Sequence, residues 1–358
     1  MPTLFDPIDY GPIHAANRIV MAPLTRAKAT REGVPTAIMA EYYAQRATAG
    51  LIISEATGIS RQGLGWVNAP GIWNDEQVEG WKPIVKTVHD KGGKIVCQLW
   101  HMGRMAHSVN TGEQPVAPSP STAPGHIRTY DGLRDYEEAR ALRLDEIPGI
   151  IAAYATAARN AIKAGFDGIQ IHGANGYLLH EFLSDGTNHR TDQYGGSPEN
   201  RIRLLSEVVE AVCQAIGAER VGVRLSPNGM IQGTMDSRPE AVYVPAVQML
   251  QNLGIAWLEL RELTQTSEPP TDQLRLSPEL RMFFHHTMVL NQDYRHGNAE
   301  DAVASGMADA ISFGRPFISN PDLVRRLKEN IPFQPVDTAT LYSGEQNIQG
   351  YLDYPFAP

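Results

Sequence analysis

Cysteine is scarce in this chain: 358 residues carry two, Cys97 and Cys213. Two thiols make no disulfide framework of the kind that staples secreted domains, and Cys97 lies inside an apolar, strand-like run. Both are expected to be free thiols in a reducing compartment. No stretch approaches the roughly 18 consecutive apolar residues of a membrane helix, and Met1 to Pro7 has neither the basic nor the apolar segment of a secretory leader. A cytoplasmic protein with no membrane partner is expected. Positive charge is short as well. Against 40 Asp and Glu stand 31 Lys and Arg, a net charge of −9 with no basic stripe, which speaks against a nucleic-acid partner.

Several signature loops are also missing. No GxSxG elbow, no Walker A loop and no GxGxxG following a strand occurs, so acyl transfer through a serine elbow and ATP use lose support. His101 and His107, His180 with Glu181, and His285 with His286 lack a ligand spacing joined to a strand-end carboxylate cluster, so no metal is expected.

What the chain has in quantity is a short, β-branched apolar run, repeated eight times. The runs begin at Arg18–Pro23, Gly50–Glu55, Lys94–Leu99 and Gly168–His172, and continue at Arg220–Leu225, Ala256–Leu260, Met288–Asn291 and Ala308–Gly314. Runs apolar on both faces fit buried parallel strands, whose crossovers need covering helices. Two such helices are well marked: Asp145-Glu146-Ile147-Pro148 opens the stretch Gly149–Ala164, which Gly165 stops, and Ser197-Pro198 opens Arg201–Ile216. The expected fold class is therefore α/β, a (β/α)8 TIM barrel, with an open doubly wound sheet as its competitor. We expect one domain over residues 1–358, with an N-terminal hairpin in the first sixteen residues. Two extended lid loops are expected at 110–139 and 264–277, both rich in turn residues, and the tail after Ile331 is expected to pack back onto the body.

In a barrel, reactive groups belong where strands end, on the C-terminal face. His172 and Asn175 lie just past the fourth run, separated by small residues, and offer two N–H donors for a carbonyl or nitro oxygen that gains negative charge. Tyr177, in the same loop, could give a proton to the adjacent carbon. Gly314-Arg315-Pro316 after the eighth run suits a phosphate. Arg224 ends an apolar strand, and a buried arginine needs an anionic or electron-rich partner.

Several long motifs, taken in order, carry a resemblance. They are Asn17-Arg18-Ile19-Val20-Met21-Ala22-Pro23-Leu24-Thr25-Arg26, Gln98-Leu99-Trp100-His101-Met102-Gly103-Arg104, His172-Gly173-Ala174-Asn175-Gly176-Tyr177, Tyr194-Gly195-Gly196-Ser197-Pro198-Glu199-Asn200-Arg201, Phe313-Gly314-Arg315-Pro316-Phe317 and Gly350-Tyr351-Leu352-Asp353-Tyr354-Pro355. In these the chain resembles the Old Yellow Enzyme family of flavin-dependent ene-reductases over essentially its whole length. The resemblance implies non-covalent FMN, NADPH or NADH as reductant, small-molecule substrates and a monomer or homodimer. It implies that Ala22, Pro23, Leu24 and Ala56 wall the flavin ring, that Thr25 sits near its O4, Gln98 at its pyrimidine edge and Arg224 beside N1 and O2, and that Gly314 and Arg315 cradle the phosphate. His172 and Asn175 would orient the substrate oxygen, Tyr177 would donate the proton, and Trp100 and Tyr351 would shape the pocket.

One segment departs from the family pattern. After strand seven, where many relatives have a glycine-containing phosphate loop, the chain reads Leu290-Asn291-Gln292-Asp293-Tyr294; Gln292 joins the expected cofactor contacts. Two other readings stay open here: a barrel acting without redox chemistry on a phosphorylated metabolite, and a silent barrel used as a scaffold.

Overall fold

The computed structural model describes residues 1–342 and 347–358. Eight parallel strands pair in sequence order and close on themselves: β1 (Ile19–Met21), β2 (Leu51–Ile53), β3 (Ile95–Trp100), β4 (Gly168–Gly173), β5 (Val221–Leu225), β6 (Trp257–Arg261), β7 (Thr287–Asn291) and β8 (Ala310–Phe313). The pairing of β4 with both β3 and β5, and of β8 with β1, completes the ring. An open sheet is excluded by that closure, and the fold is a (β/α)8 barrel.

Each crossover carries a helix: α1 (Ala37–Gln45), α2 (Asp75–Asp90), α3 (Ile147–Ala164), α4 (Pro198–Ile216), α5 (Pro239–Leu253), the single turn α6 (Ser277–Leu280), α7 (Asn298–Ala304) and, after β8, α8 (Leu323–Glu329). Helix α3 shows why these segments coil. Pro148 occupies its first turn and Gly165, at φ 100°, caps its end, while Ile150, Tyr154, Ala157, Ala158 and Ala161 recur at helical spacing and are buried. In α4 the Ser197 side chain accepts a hydrogen bond from Asn200 N, and Ile202, Leu205, Val208, Val209 and Val212 face inward. Burying each such side chain contributes roughly 1.5–3 kcal/mol.

The strands alternate between two cores. Residues such as Ile19, Met21, Ile52, Ile95, Cys97, Ile169, Ile171, Val223 and Leu258 pack outward against the helices. Their neighbours point into the barrel, where the composition changes with height. The floor is apolar, made of Val20, Leu51, Ile53, Val96, Trp257, Val289 and Ala310, and the hairpin Ile8–Tyr10/Ile13–Ala15 plugs it from below. Tyr10 meets Trp257 edge to face at 6.0 Å. Glycine is required at 222: a Cβ there would stand 1.9 Å from the Trp257 ring. One layer higher the inward residues are Gln98, Gln170, Arg224, Glu259, Asn291 and Ser312, joined by the hydrogen bonds described below.

The segment 110–139 is more ordered than its composition suggests. His126–Thr129 and Gly132–Asp135 form a hairpin, and Val116–Ala117 pairs with Arg140–Ala141. The alternation of buried Ile127 and Thr129 with exposed His126 and Arg128 supplies a strand pattern that the Pro and Ser around it conceal. Loop 264–277 has no strand or long helix, but its base is pinned. Glu262 accepts hydrogen bonds from Leu276 N (2.6 Å) and Ser277 N (2.9 Å), and Asn228 donates to Leu263 O (3.0 Å). The tail does pack back: Arg26 Nη2 donates to Gly350 O (2.6 Å) and Arg325 Nη2 to Pro358 O (2.7 Å). Both cysteines are free, and burial raises their thiols to about 12 for Cys97 and about 11 for Cys213.

Candidate functional site

A cleft of about 740 Å³ opens over the C-terminal ends of the strands, the face where barrel chemistry sits. Every barrel strand, or the loop that follows it, contributes to its wall: Ala22, Pro23, Leu24 and Thr25 after β1, Ala56 after β2, Gln98 of β3, His172, Asn175 and Tyr177 on and after β4, Arg224 of β5, Arg261 of β6, Asn291 of β7 and Gln292 after it, and Gly314 and Arg315 after β8. Residues far apart in the chain thus meet through strand register. His172 lies opposite Arg224, Arg224 opposite Glu259, and Arg261 opposite Asn291.

Two expected walls lie elsewhere. Tyr351 is fully buried and stacks on Tyr42 at 4.3 Å with its ring nearly parallel, beneath the Arg26 guanidinium, so it is part of the core that holds the tail. Trp100 is also buried and does not line the cleft; it packs behind the wall, edge to face against Tyr177 at 5.0 Å and in one cluster with Ala56 and Trp66. Trp66 and Tyr342, 5.3 Å apart, line the cleft together with Tyr294, Phe313 and Phe333, and the first two also border a neighbouring cavity of about 480 Å³. Both sit in irregular segments where aromatic character was the only sequence signal.

The loop after β4 is tightly held. Asn175 adopts φ 59° and Gly176 φ 78°, and a Cβ on Gly176 would lie 2.8 Å from Ile231 O. Gly176 N donates to His180 Nδ1 (2.8 Å). Arg261 Nη1 donates to Asn175 Oδ1 (2.8 Å), and Ser226 Oγ donates to the same oxygen (3.3 Å). With its oxygen engaged, the Asn175 carboxamide has its NH2 group left to donate. Ala174 N donates to His172 Nδ1 (3.4 Å), which leaves the ring proton on Nε2. The two rings of His172 and Tyr177 stand edge to face at 5.0 Å.

Electrostatics keep these groups in their donor forms. Burial, then Arg224, His180 and Arg261, hold His172 well below the usual histidine range, so the ring is neutral. Burial above all pushes Tyr177 up to about 12, so its hydroxyl keeps its proton. Arg261 was not anticipated, although it ends an apolar strand as Arg224 does and therefore carried the same signal. Burial, reinforced by Arg224, lowers it to about 10, and it bridges Asn175 and Gln292, donating to Gln292 Oε1 at 3.1 Å.

The cleft suits an anionic, planar, hydrogen-bonding group. Four arginines, Arg224, Arg261, Arg295 and Arg315, line it against Glu268 and Asp293. Arg224 is buried with Nε ion-paired to Glu259 Oε1 at 3.3 Å and Nη2 donating to Asn291 Oδ1 (2.8 Å), and Gln98 spends its Nε2 on Gln170 (2.8 Å), leaving Oε1 as an acceptor. Among the described residues no cluster of His, Cys, Asp or Glu could hold a metal ion, and no helix is long and apolar enough to cross a membrane.

Residues 3–334 match the model of the NADH:flavin oxidoreductase / NADH oxidase family. The Old Yellow Enzyme homologue of Zymomonas mobilis superposes with a TM-score of 0.98 at 61% identity, covering 99% of this chain and 100% of that one. The chain belongs to the Old Yellow Enzyme family. It is accordingly an NAD(P)H-dependent flavin oxidoreductase with FMN as cofactor. Morphinone reductase, solved with tetrahydroNAD, matches this chain with a TM-score of 0.93 at 44% identity over 100% of this chain and 98% of that one. A flavin oxidoreductase of Emericella nidulans is 41% identical over 384 aligned positions, 99% of this chain and 97% of the relative.

Proposed function

We propose that the enzyme is an ene-reductase that reduces electron-poor carbon–carbon double bonds, those of α,β-unsaturated carbonyls, nitroalkenes and maleimides, by a ping-pong cycle. The observation that carries this is the convergence of two neutral N–H donors, His172 and Asn175, with the protonated hydroxyl of Tyr177 on one side of the cleft.

In this reading Gln98 would accept from the pyrimidine edge of the flavin, Thr25 would donate toward its O4, and Arg224 would face N1 and O2. Ala22, Pro23, Leu24 and Ala56 wall the ring, and Gly314, Arg315 and Gln292 hold the ribityl phosphate end. FMN held there would supply the redox chemistry, hydride transfer from NAD(P)H to the substrate β-carbon. His172 Nε2–H and Asn175 Nδ2–H grip the substrate oxygen and stabilise the negative charge that gathers there. Arg261 holds the Asn175 carboxamide so that its NH2, not its oxygen, meets the substrate. Tyr177 gives its proton to the α-carbon, and Trp66 and Tyr342 fix the ring plane of the substrate. The shared pocket makes the two half-reactions sequential: oxidised nicotinamide leaves before the alkene enters. Segments 110–139 and 264–277 serve as lids, the second reaching the cleft through Thr266 and Glu268.

The test is anaerobic stopped-flow absorbance of the purified yellow protein. Mixing with NADPH should bleach the flavin band, and a second mix with 2-cyclohexenone should restore it. Bleaching without substrate-driven recovery for any activated alkene would overturn the ene-reductase reading.

A further inference from the structure

Beneath the cleft lies a buried carboxylate that the proposed cycle does not use. Glu259 is fully buried in β6, inside the barrel, one layer below the site. Ser312 Oγ donates to its Oε1 (2.6 Å), Gln170 Nε2 donates to its Oε2 (2.8 Å), and Arg224 Nε stands 3.3 Å from Oε1. The chain of contacts runs on in both directions, from Gln170 to Gln98 and from Arg224 Nη2 to Asn291 Oδ1 (2.8 Å). Glu259 thus sits behind the two side chains that face the flavin in the proposed function, on which this inference rests. A carboxylate removed from water and paired with a single arginine cancels much of the field that the arginine projects beyond it. The layer below fills the same inward face with apolar residues, Val20, Val96 and Val289, so the acid is no requirement of barrel packing as such.

The geometry points to Glu259 as a positioning residue that sets the reduction potential of FMN: it tethers Arg224 and offsets its charge, which weakens the stabilisation of anionic reduced flavin. Glu259 touches neither cofactor nor substrate and acts through Arg224 and, by way of Gln170, through Gln98. With the carboxylate gone, the uncompensated guanidinium favours the reduced flavin and any anion that adds to the ring.

The experiment compares the holoenzyme with Glu259→Gln in an equilibrium redox titration against an indicator dye, with sulfite affinity of the bound flavin as a second readout. The oxidised-to-reduced equilibrium is expected to move toward reduced flavin by about tenfold or more, which is about 30 mV or more for a two-electron couple, and sulfite to bind tighter by a similar factor. A redox equilibrium within about threefold of the parent enzyme overturns the assignment. Should Glu259→Gln not yield folded yellow protein, Glu259→Met removes the same charge without a polar group. Failure of both to fold would assign the pair to structure alone and overturn the redox role. Arg224→Met separates the two readings. If it leaves the potential unchanged, the placement of flavin beside Arg224 falls; if it lowers the potential while Glu259→Gln does nothing, only the role of Glu259 falls.

Discussion

The floor and the upper half of this barrel are built from the same eight strands and solve opposite problems. Below, Val20, Leu51, Ile53, Val96, Trp257 and Val289 fill the interior with apolar volume. Two residues further along the same strands, the inward positions become Gln98, Glu259 and Asn291, tied to one another by hydrogen bonds. The difference teaches that stability and chemistry are separated by height: the period of two along each strand hands one layer to packing and the next to polar recognition.

The sharpest way to test that separation is to damage the floor. Trp257→Ala should lower unfolding stability by about 3–5 kcal/mol, since Gly222 offers no side chain to refill the space. Urea unfolding would measure the loss, and the rate per bound flavin should stay near that of the parent. Damage to the rim should do the reverse. Asn175→Ala removes one donor and should cut alkene reduction by about 10²–10³-fold with little change in unfolding stability, whereas Asn175→His, which restores a ring N–H, should retain measurable activity. Loss of all turnover in Asn175→His with FMN still bound would remove the simple donor role.

A third test uses the buried carboxyls outside the floor. Burial pushes Glu181 up to about 8 and Glu55 up to about 7. For a carboxyl raised in the folded state, the folded protein holds a proton that the unfolded chain has already released. Its stabilising contribution is complete below the unfolded value of 4.5 and is lost as pH rises through about 8. Stability should therefore fall between pH 5 and 8.5, and Glu181→Gln should remove up to about 4 kcal/mol of that fall; an unchanged pH dependence of the thermal melts would place the titration elsewhere. Smaller again is Arg261→Leu, which frees the Asn175 carboxamide to rotate and should slow alkene reduction by about tenfold. The smallest effect expected is none. With His172 held neutral and Tyr177 protonated up to about 12, the alkene half-reaction should be flat from about pH 7 to 10, and a step in that window would contradict the donor assignments.

Most of this architecture could be read from the chain because the strands are apolar on both faces. Each of the eight runs overlaps one observed strand, and where the strand runs past it the excess is a single residue, since a buried parallel strand imposes its composition locally. Thirteen residues expected at the site, from Ala22 to Arg315, do line one cleft, because barrel closure turns each strand end toward the same mouth. The hidden parts depend on contacts that local pattern does not encode. Arg261 reaches Asn175 across 86 positions. Trp66 and Tyr342 meet from two irregular segments. Tyr351, aromatic and near a family motif, was expected in the pocket, yet the stack on Tyr42 and the cation of Arg26 draw it into the core. The order within 110–139 was masked by its prolines, which flank the hairpin rather than interrupt it.

The clasp formed by Glu262 and Asn228 has a consequence for how such an enzyme can diversify. Because Leu276 and Ser277 are fastened to a carboxylate only fourteen and fifteen positions earlier, the stretch between them hangs like a cassette from a closed frame. Its tip, including Thr266 and Glu268 at the cleft, can be rewritten from one descendant to the next so long as Ser267 and Gln273, which bond to Asp293 and to Gly229 N, keep their partners in the frame.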